Sequence, residues 1–248
     1  RAKKKVVQTK KTSMSKKLLE ITRDPFLDMD TQENEEVIVK SEDFSKNTKK
    51  KKETKSEEIV TDKTYVIPLG GLEEVGKNMT LFQYRDEIVI IDAGLSFPSD
   101  EHLGIDIIIP NLSYLESNVD KIKALLITHG HEDHIGAVPY LYQKLGSEDI
   151  PMYGGRLTLE LAKAKFEKKD AKLPKEKIIK GRSILKISKY FTVEFVSVTH
   201  SIADCYAICI KTPAATILHT GDFKVDLTPV DGEGFDFGRL AQLGEEGV

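Results

Sequence analysis

In the run Thr128-His129-Gly130-His131-Glu132-Asp133-His134, three imidazoles and two carboxylates crowd onto one short piece of chain. A lone histidine is ordinarily a packed or surface residue, but neutral imidazoles beside carboxylates at this density form a metal-ligand set. Alternate residues of an extended segment point the same way, so His129 and His131 can share one ion. Asp133 and His134, past a bend into a helix, can serve a second ion close by. Thr199-His200-Ser201 offers His200 as a third imidazole for the first ion, and Thr220-Gly221-Asp222 offers a carboxylate able to bridge both. Such a nitrogen-rich set suits Zn2+ better than Mn2+.

Two ions roughly 3.5–4 Å apart can lower the pKa of water toward 7 and present hydroxide to a phosphorus or carbonyl centre. In that scheme Asp133 and Asp222 hold the metals. Asp92, the third carboxylate assigned to catalysis, suits orienting a ligand imidazole or the active water better than ligation. Ser201 and His219 are candidates for supporting the ligands or touching substrate, and His102 reads as a surface residue. The general acid is unassigned. These residues alone indicate metal-assisted hydrolysis and leave the substrate open.

The elements that must position this set are legible from apolar runs. Residues 65–69 and 79–84 read as strands around a glycine-rich turn, and Ile88 to Asp92 as a buried strand ending in an acid. Residues 121–128 form another strand leading straight into the histidine loop. Helices are predicted over 135–145 and 156–169, then strands over 184–187, 191–198, 205–211 and 215–218. A final helix around Leu240 stops at a glycine. Strands with intervening helices indicate an α/β layered architecture, with the ligands on loops held between a strand and a helix.

The chain has 248 residues, room for one sizeable domain plus a tail, and a formal net charge of −3. A nucleic-acid role therefore requires a positive field that is local or lies outside this chain. Residues 1–62 alternate lysine and acidic clusters with few aromatics and are predicted to be a disordered, lysine-rich extension. That composition favours a solvated tail over a basic arm for RNA phosphates, and the short apolar run Val37-Ile38-Val39 is suited to transient pairing. The only cysteines, Cys205 and Cys209, sit roughly 13 Å apart along a strand at about 3.3 Å per residue, too far to bridge. Two core thiols fit a reducing cytoplasm, and neither a membrane span nor a signal peptide is visible.

The ligand residues, in this order, resemble the metallo-β-lactamase superfamily. Longer stretches narrow the resemblance: Ile67 to Met79, Thr128 to Pro139, Val198 to Asp204, and Ile217 to Lys224 with Pro229 to Gly232 are similar to the bacterial ribonuclease J family. The resemblance covers residues 64 to 248. It implies the N-terminal part of an αββα metallo-β-lactamase domain (residues 63–248 here) into which a β-CASP domain is inserted further on. It implies a zinc-dependent 5′→3′ exoribonuclease and endoribonuclease of RNA processing and decay, with two Zn2+ ions and Mn2+ or Mg2+ as alternatives. His129, His131 and His200 would hold one ion, Asp133 and His134 the other, with Asp222 bridging. The implied partners are RNA with a 5′-monophosphate and a homo-oligomer or RNA-decay complex, with no membrane.

The chain starts at Arg1 and stops before the inserted domain, the family's last histidine ligand and its C-terminal region, and so reads as a piece of a longer protein. On that expectation, this stretch alone binds metal weakly and cleaves poorly. Two other readings stay open: a thioesterase or lactonase on the same site, and a non-catalytic scaffold subunit. Filled ligand positions argue against the scaffold, and the match of whole stretches argues against a different hydrolase.

Overall fold

The computed structural model describes residues 6–8, 19–20, 62–99, 103–167 and 171–248. In chain order the first elements are β1 (Val6–Gln8), β2 (Leu19–Glu20), β3 (Thr64–Gly70), β4 (Met79–Tyr84), β5 (Glu87–Ile91), β6 (Ile107–Ile109) and α1 (Ser113–Glu116). After a 3-10 turn at Val119–Lys121 come β7 (Ile122–Leu126), α2 (Glu132–Ile135), α3 (Val138–Leu145), β8 (Met152–Gly154), α4 (Arg156–Phe166) and β9 (Glu176–Ile178). The last elements are β10 (Ile184–Lys186), β11 (Thr192–Ser197), β12 (Tyr206–Lys211), β13 (Thr216–His219) and α5 (Phe237–Glu246).

A seven-stranded sheet has the order β2-β3-β4-β5-β7-β8-β9, and a four-stranded sheet the order β10-β11-β12-β13. β3, β4 and β5 are antiparallel, whereas β5, β7, β8 and β9 run parallel, so their carboxyl ends share one rim. The pleat sorts side chains into layers. Ile88 and Ile90 face the helices with Leu125, Ile135, Val138, Leu141 and Leu159. Their neighbours Val89 and Ile91 turn inward with Ala124 and Leu126, against Val193, Phe195, Ile208 and Ile210 of the second sheet. Beyond that sheet Val196, Ala207 and Cys209 pack on Leu243 of α5. The order helix, sheet, sheet, helix is the αββα sandwich, and β5 and β7 are wholly apolar at their centres because both their faces are buried.

Two differences from the sequence-based expectations concern the helices. The predicted helix over 135–145 is two helices, α2 and α3, with Gly136 and Ala137 between them. There Leu95 packs so close to Gly136 that a Cβ would overlap its side chain. α4 ends at Phe166, short of residue 169. β1 pairs with β6 and β2 with β3, inside the stretch predicted to be disordered; the rest of that extension, Val37-Ile38-Val39 and His102 lie outside the described residues. Cys205 and Cys209 are free, buried thiols. Among the described residues no helix is long and apolar enough to cross a membrane.

Candidate metal centre

Every candidate ligand leaves a strand at the same rim. β7 exits through Thr128 to the loop His129–His131 and α2, which carries Asp133 and His134. His200 follows β11, and Asp222 follows β13. Backbone bonds zip these loops together: Asn78 N–H donates to Asp133 O (3.0 Å), Ala93 N–H to His134 O (2.8 Å), Gly94 N–H to Asn78 O (2.9 Å) and Tyr206 N–H to Thr128 O (3.0 Å). Thr199 and Lys224 form an antiparallel bridge that ties the His200 loop to the Asp222 loop. Gly94 is where the β5 exit passes the metal loop, and a Cβ there would overlap the carbonyl of Asp133.

Two donor triads result. The ligand atoms of His129, His131 and His200 lie within 4.8 Å of one another, as do those of His129, His134 and Asp222. His129 Nε2 stands 3.0 Å from His131 Nδ1. Asp222 Oδ2 lies between the groups, 3.5 Å from His134 Nε2 and 3.9 Å from His200 Nε2. Asp133, predicted as a ligand of the second ion, enters neither triad; its Oδ2 accepts from Asn78 Nδ2 at 3.1 Å and stands 3.5 Å from His134 Nε2.

The buried groups behind the triads fix ring orientation. Asp92, only 1 % exposed, accepts from Thr128 N–H at Oδ1 and from Thr128 Oγ1 and His134 Nδ1 at Oδ2, all at 2.8 Å. Both oxygens are thereby engaged, and His134 Nε2 is left pointing toward Asp222. Thr128 Oγ1 also lies 3.0 Å from His129 Nδ1, leaving His129 Nε2 for the triads. His219, stacked edge-on against Phe82, accepts from Gly221 N–H at 3.2 Å and so steadies the Asp222 turn. Ser201 Oγ is 3.4 Å from His131 Nε2. Thr128 and Asn78 carry no role in the sequence-based assignment: Thr128 adjoins His129 in the chain, but its bonds to Asp92, and those of Asn78 to Asp133 and His134, arise only in the fold.

Electrostatics favour a cation here. Burial opposes charge on His134, yet Asp92, Asp133 and Asp222 outweigh it and push the imidazole up to about 12. The hydrogen bond from His134 holds Asp222 down at about 2. Burial, aided by the nearby His134, lowers His129 to about 4, so its ring is neutral and its lone pair is available near neutral pH. His129 offers a free lone pair and the carboxylates around His134 favour positive charge there, so these groups, on rings already fixed by buried partners, fit a divalent cation that would take the place of the His134 proton. A cavity of about 320 Å3 adjoins His200, with Ser197, Thr199, Ser201, Lys224 and Asp226 in its walls.

Residues 72–232 match the model of the metallo-beta-lactamase superfamily. The chain is 45% identical over 185 residues to ribonuclease J of Synechocystis sp., covering 74% of this chain and 28% of that protein. It is 45% identical over 191 residues to ribonuclease J of Thermus thermophilus, covering 75% and 33%. It thus spans about a third or less of the length of these curated relatives. Among solved structures, a protein of unknown function from Enterococcus faecalis superposes with a TM-score of 0.51 at 20% identity, over 65% of this chain and 44% of that one, a likeness of fold. The αββα layers, the ligand loops at one rim and the matched span together place this chain in the metallo-β-lactamase superfamily.

Proposed function

We propose that this chain carries the metal centre of a ribonuclease that hydrolyses RNA phosphodiester bonds at two zinc ions, acting on RNA 5′-monophosphate ends as a 5′→3′ exonuclease and internally as an endonuclease. The observation that carries the reading is the pair of donor triads sharing His129, with Asp222 between them. His129, His131 and His200 would hold one ion and His129 or Asp133, with His134 and Asp222, the other; Mn2+ or Mg2+ are the alternative metals. When bound, the ions supply Lewis acidity and an activated water near neutral pH.

The chain's own residues do the positioning. Asp92 and Thr128 fix His134 and His129 with their Nε2 atoms inward. Asn78 holds Asp133 beside His134. The bridge between Thr199 and Lys224 sets His200 relative to Asp222. RNA as substrate is supported by the relatives named ribonuclease J, 45% identical across three quarters of the chain. Assembly as a homo-oligomer or within an RNA-decay complex, in a reducing cytoplasm, belongs to the same proposal, and the free thiols agree with it.

The test is digestion of 5′-monophosphorylated RNA by the full-length protein, with and without chelator, beside the double variant Asp133→Ala/His134→Ala. Cleavage lost under both treatments is expected. Cleavage that survives both, or turnover of a thioester or lactone without RNA cleavage, overturns the proposal.

A further inference from the structure

The formal charge of the chain is −3, yet residues 163–189 carry eleven Lys and Arg against three Asp and Glu. This segment leaves α4, forms β9 and then β10. β9 is the end strand of the seven-stranded sheet and β10 the end strand of the four-stranded sheet, so the cations from Lys172 to Lys189 border one side of the sandwich. Lys172, Lys175, Lys177, Lys180, Lys186 and Lys189 are exposed. Among the described residues no salt bridge neutralises Lys175, Lys180 or Lys186. One end of the segment meets the metal loop, where Lys165 pairs with Glu132, the neighbour of Asp133. The turn between β9 and β10 returns to the same rim, with Gly181 packed on Ser197, a wall residue of the cavity beside His200.

Lysines on edge strands often serve only to prevent edge-to-edge association. That need is met by a few charges of either sign. It does not account for cations of one sign gathered over both sheet edges in an acidic chain. A concentrated positive strip is the electrostatic footprint of a polyanion-binding surface.

We infer that the β9–β10 edge is a docking surface for the phosphate backbone of single-stranded RNA, leading to or from the metal centre. The inference rests on the reading of the protein as a ribonuclease. Lys175, Lys180 and Lys186 supply backbone contacts without base readout, so binding is insensitive to sequence and steeply dependent on salt.

The experiment measures binding of a fluorescent single-stranded RNA to the full-length protein in chelator, so that nothing is cut, across a salt series. The triple variant Lys175→Gln/Lys180→Gln/Lys186→Gln is compared with Lys123→Gln/Lys144→Gln/Lys211→Gln, which removes equal charge elsewhere. The edge variant is expected to bind about tenfold or more weakly. Its salt slope should fall by about 2, since each phosphate neutralised on a single strand contributes about 0.7. The control should stay near the parent protein. Equal weakening in both variants, no weakening in either, or no RNA binding at all overturns the inference. Failure of metal-dependent cleavage with the binding difference intact overturns the ribonuclease reading instead.

Discussion

Asp92 would govern the proposed metal site through the residues it holds. Its two oxygens accept from three donors, one of them His134 Nδ1, and it is buried behind the ligands. Replacing Asp92 with Ala strands the Thr128 amide and one nitrogen of His134 in a buried setting and releases the His134 ring. A buried donor without its acceptor costs about 1–3 kcal/mol, and loss of the group behind a metal-ligating histidine weakens metal binding by about 10–100-fold. Zinc titration calorimetry and thermal denaturation of Asp92→Ala read the two effects separately. Unchanged zinc affinity would remove Asp92 from the metal centre. The cysteines lie at the other extreme, buried and unused. Burial, with Asp204 nearby, pushes the Cys205 thiol up to about 12. The reactive thiolate therefore accumulates only as pH rises toward that value, and at pH 8 the native thiol stays protonated. A disulfide-exchange reagent at pH 8 should label the folded chain slowly and two thiols per chain once it is denatured. Rapid labelling of Cys205 in the native protein would contradict its burial.

Between elements, the decisive contacts are where loops cross. Gly94 lets the exit of β5 lie directly on the metal loop, and three backbone bonds depend on that approach: Asn78 to Asp133, Ala93 to His134 and Leu95 to Glu132. Gly94→Ala must push Asp133 away, and because the obstruction is backbone it cannot be relieved by a rotamer change. Overpacking of this kind costs about 1–3 kcal/mol or more. The expected outcome is a lower denaturation midpoint together with weaker metal binding, while a variant of parent-like stability and zinc affinity would show that the loops tolerate separation. The same crossings mark where sequence alone stops being informative. The histidine loop is legible because His129, His131, Asp133 and His134 are neighbours in the chain, and β5, β7 and β12 are legible because each is a largely apolar run of five or six residues. β6, β8 and β9 have three residues each, too short for a period to show. The bonds of Asn78 to Asp133 and His134, and of Thr128 to Asp92, cannot be read from sequence, because they exist only once separate loops share a rim. The pairing of His129 with His134 and Asp222, leaving Asp133 beside Asn78, is likewise a product of packing and not of spacing.

At the scale of the whole fold, the candidate ligands come from both sheets. His129 and His131 belong to the loop after β7 of the seven-stranded sheet and His134 to α2 that follows it, whereas His200 and Asp222 follow β11 and β13 of the four-stranded one. The apolar layer between the sheets holds them face to face, but at the rim the contacts are polar: imidazole against imidazole, and carboxylate against imidazole. Cations ligated from both sides would cross-link the sheets at this rim, and the unfolded chain offers no such preformed cage. Metal should therefore stabilise the fold by linkage, by about 2.7 kcal/mol at a free concentration 100 times Kd. For a chain of this size that corresponds to a rise of about 5–10 °C in melting temperature. The measurement is thermal denaturation in chelator and in graded Zn2+, repeated with His200→Ala, which removes a ligand of the four-stranded sheet. The parent protein should show the shift in full, and His200→Ala only a fraction of it, because one ion would then be held from a single sheet. An equal shift in both proteins would mean that His200 holds no ion.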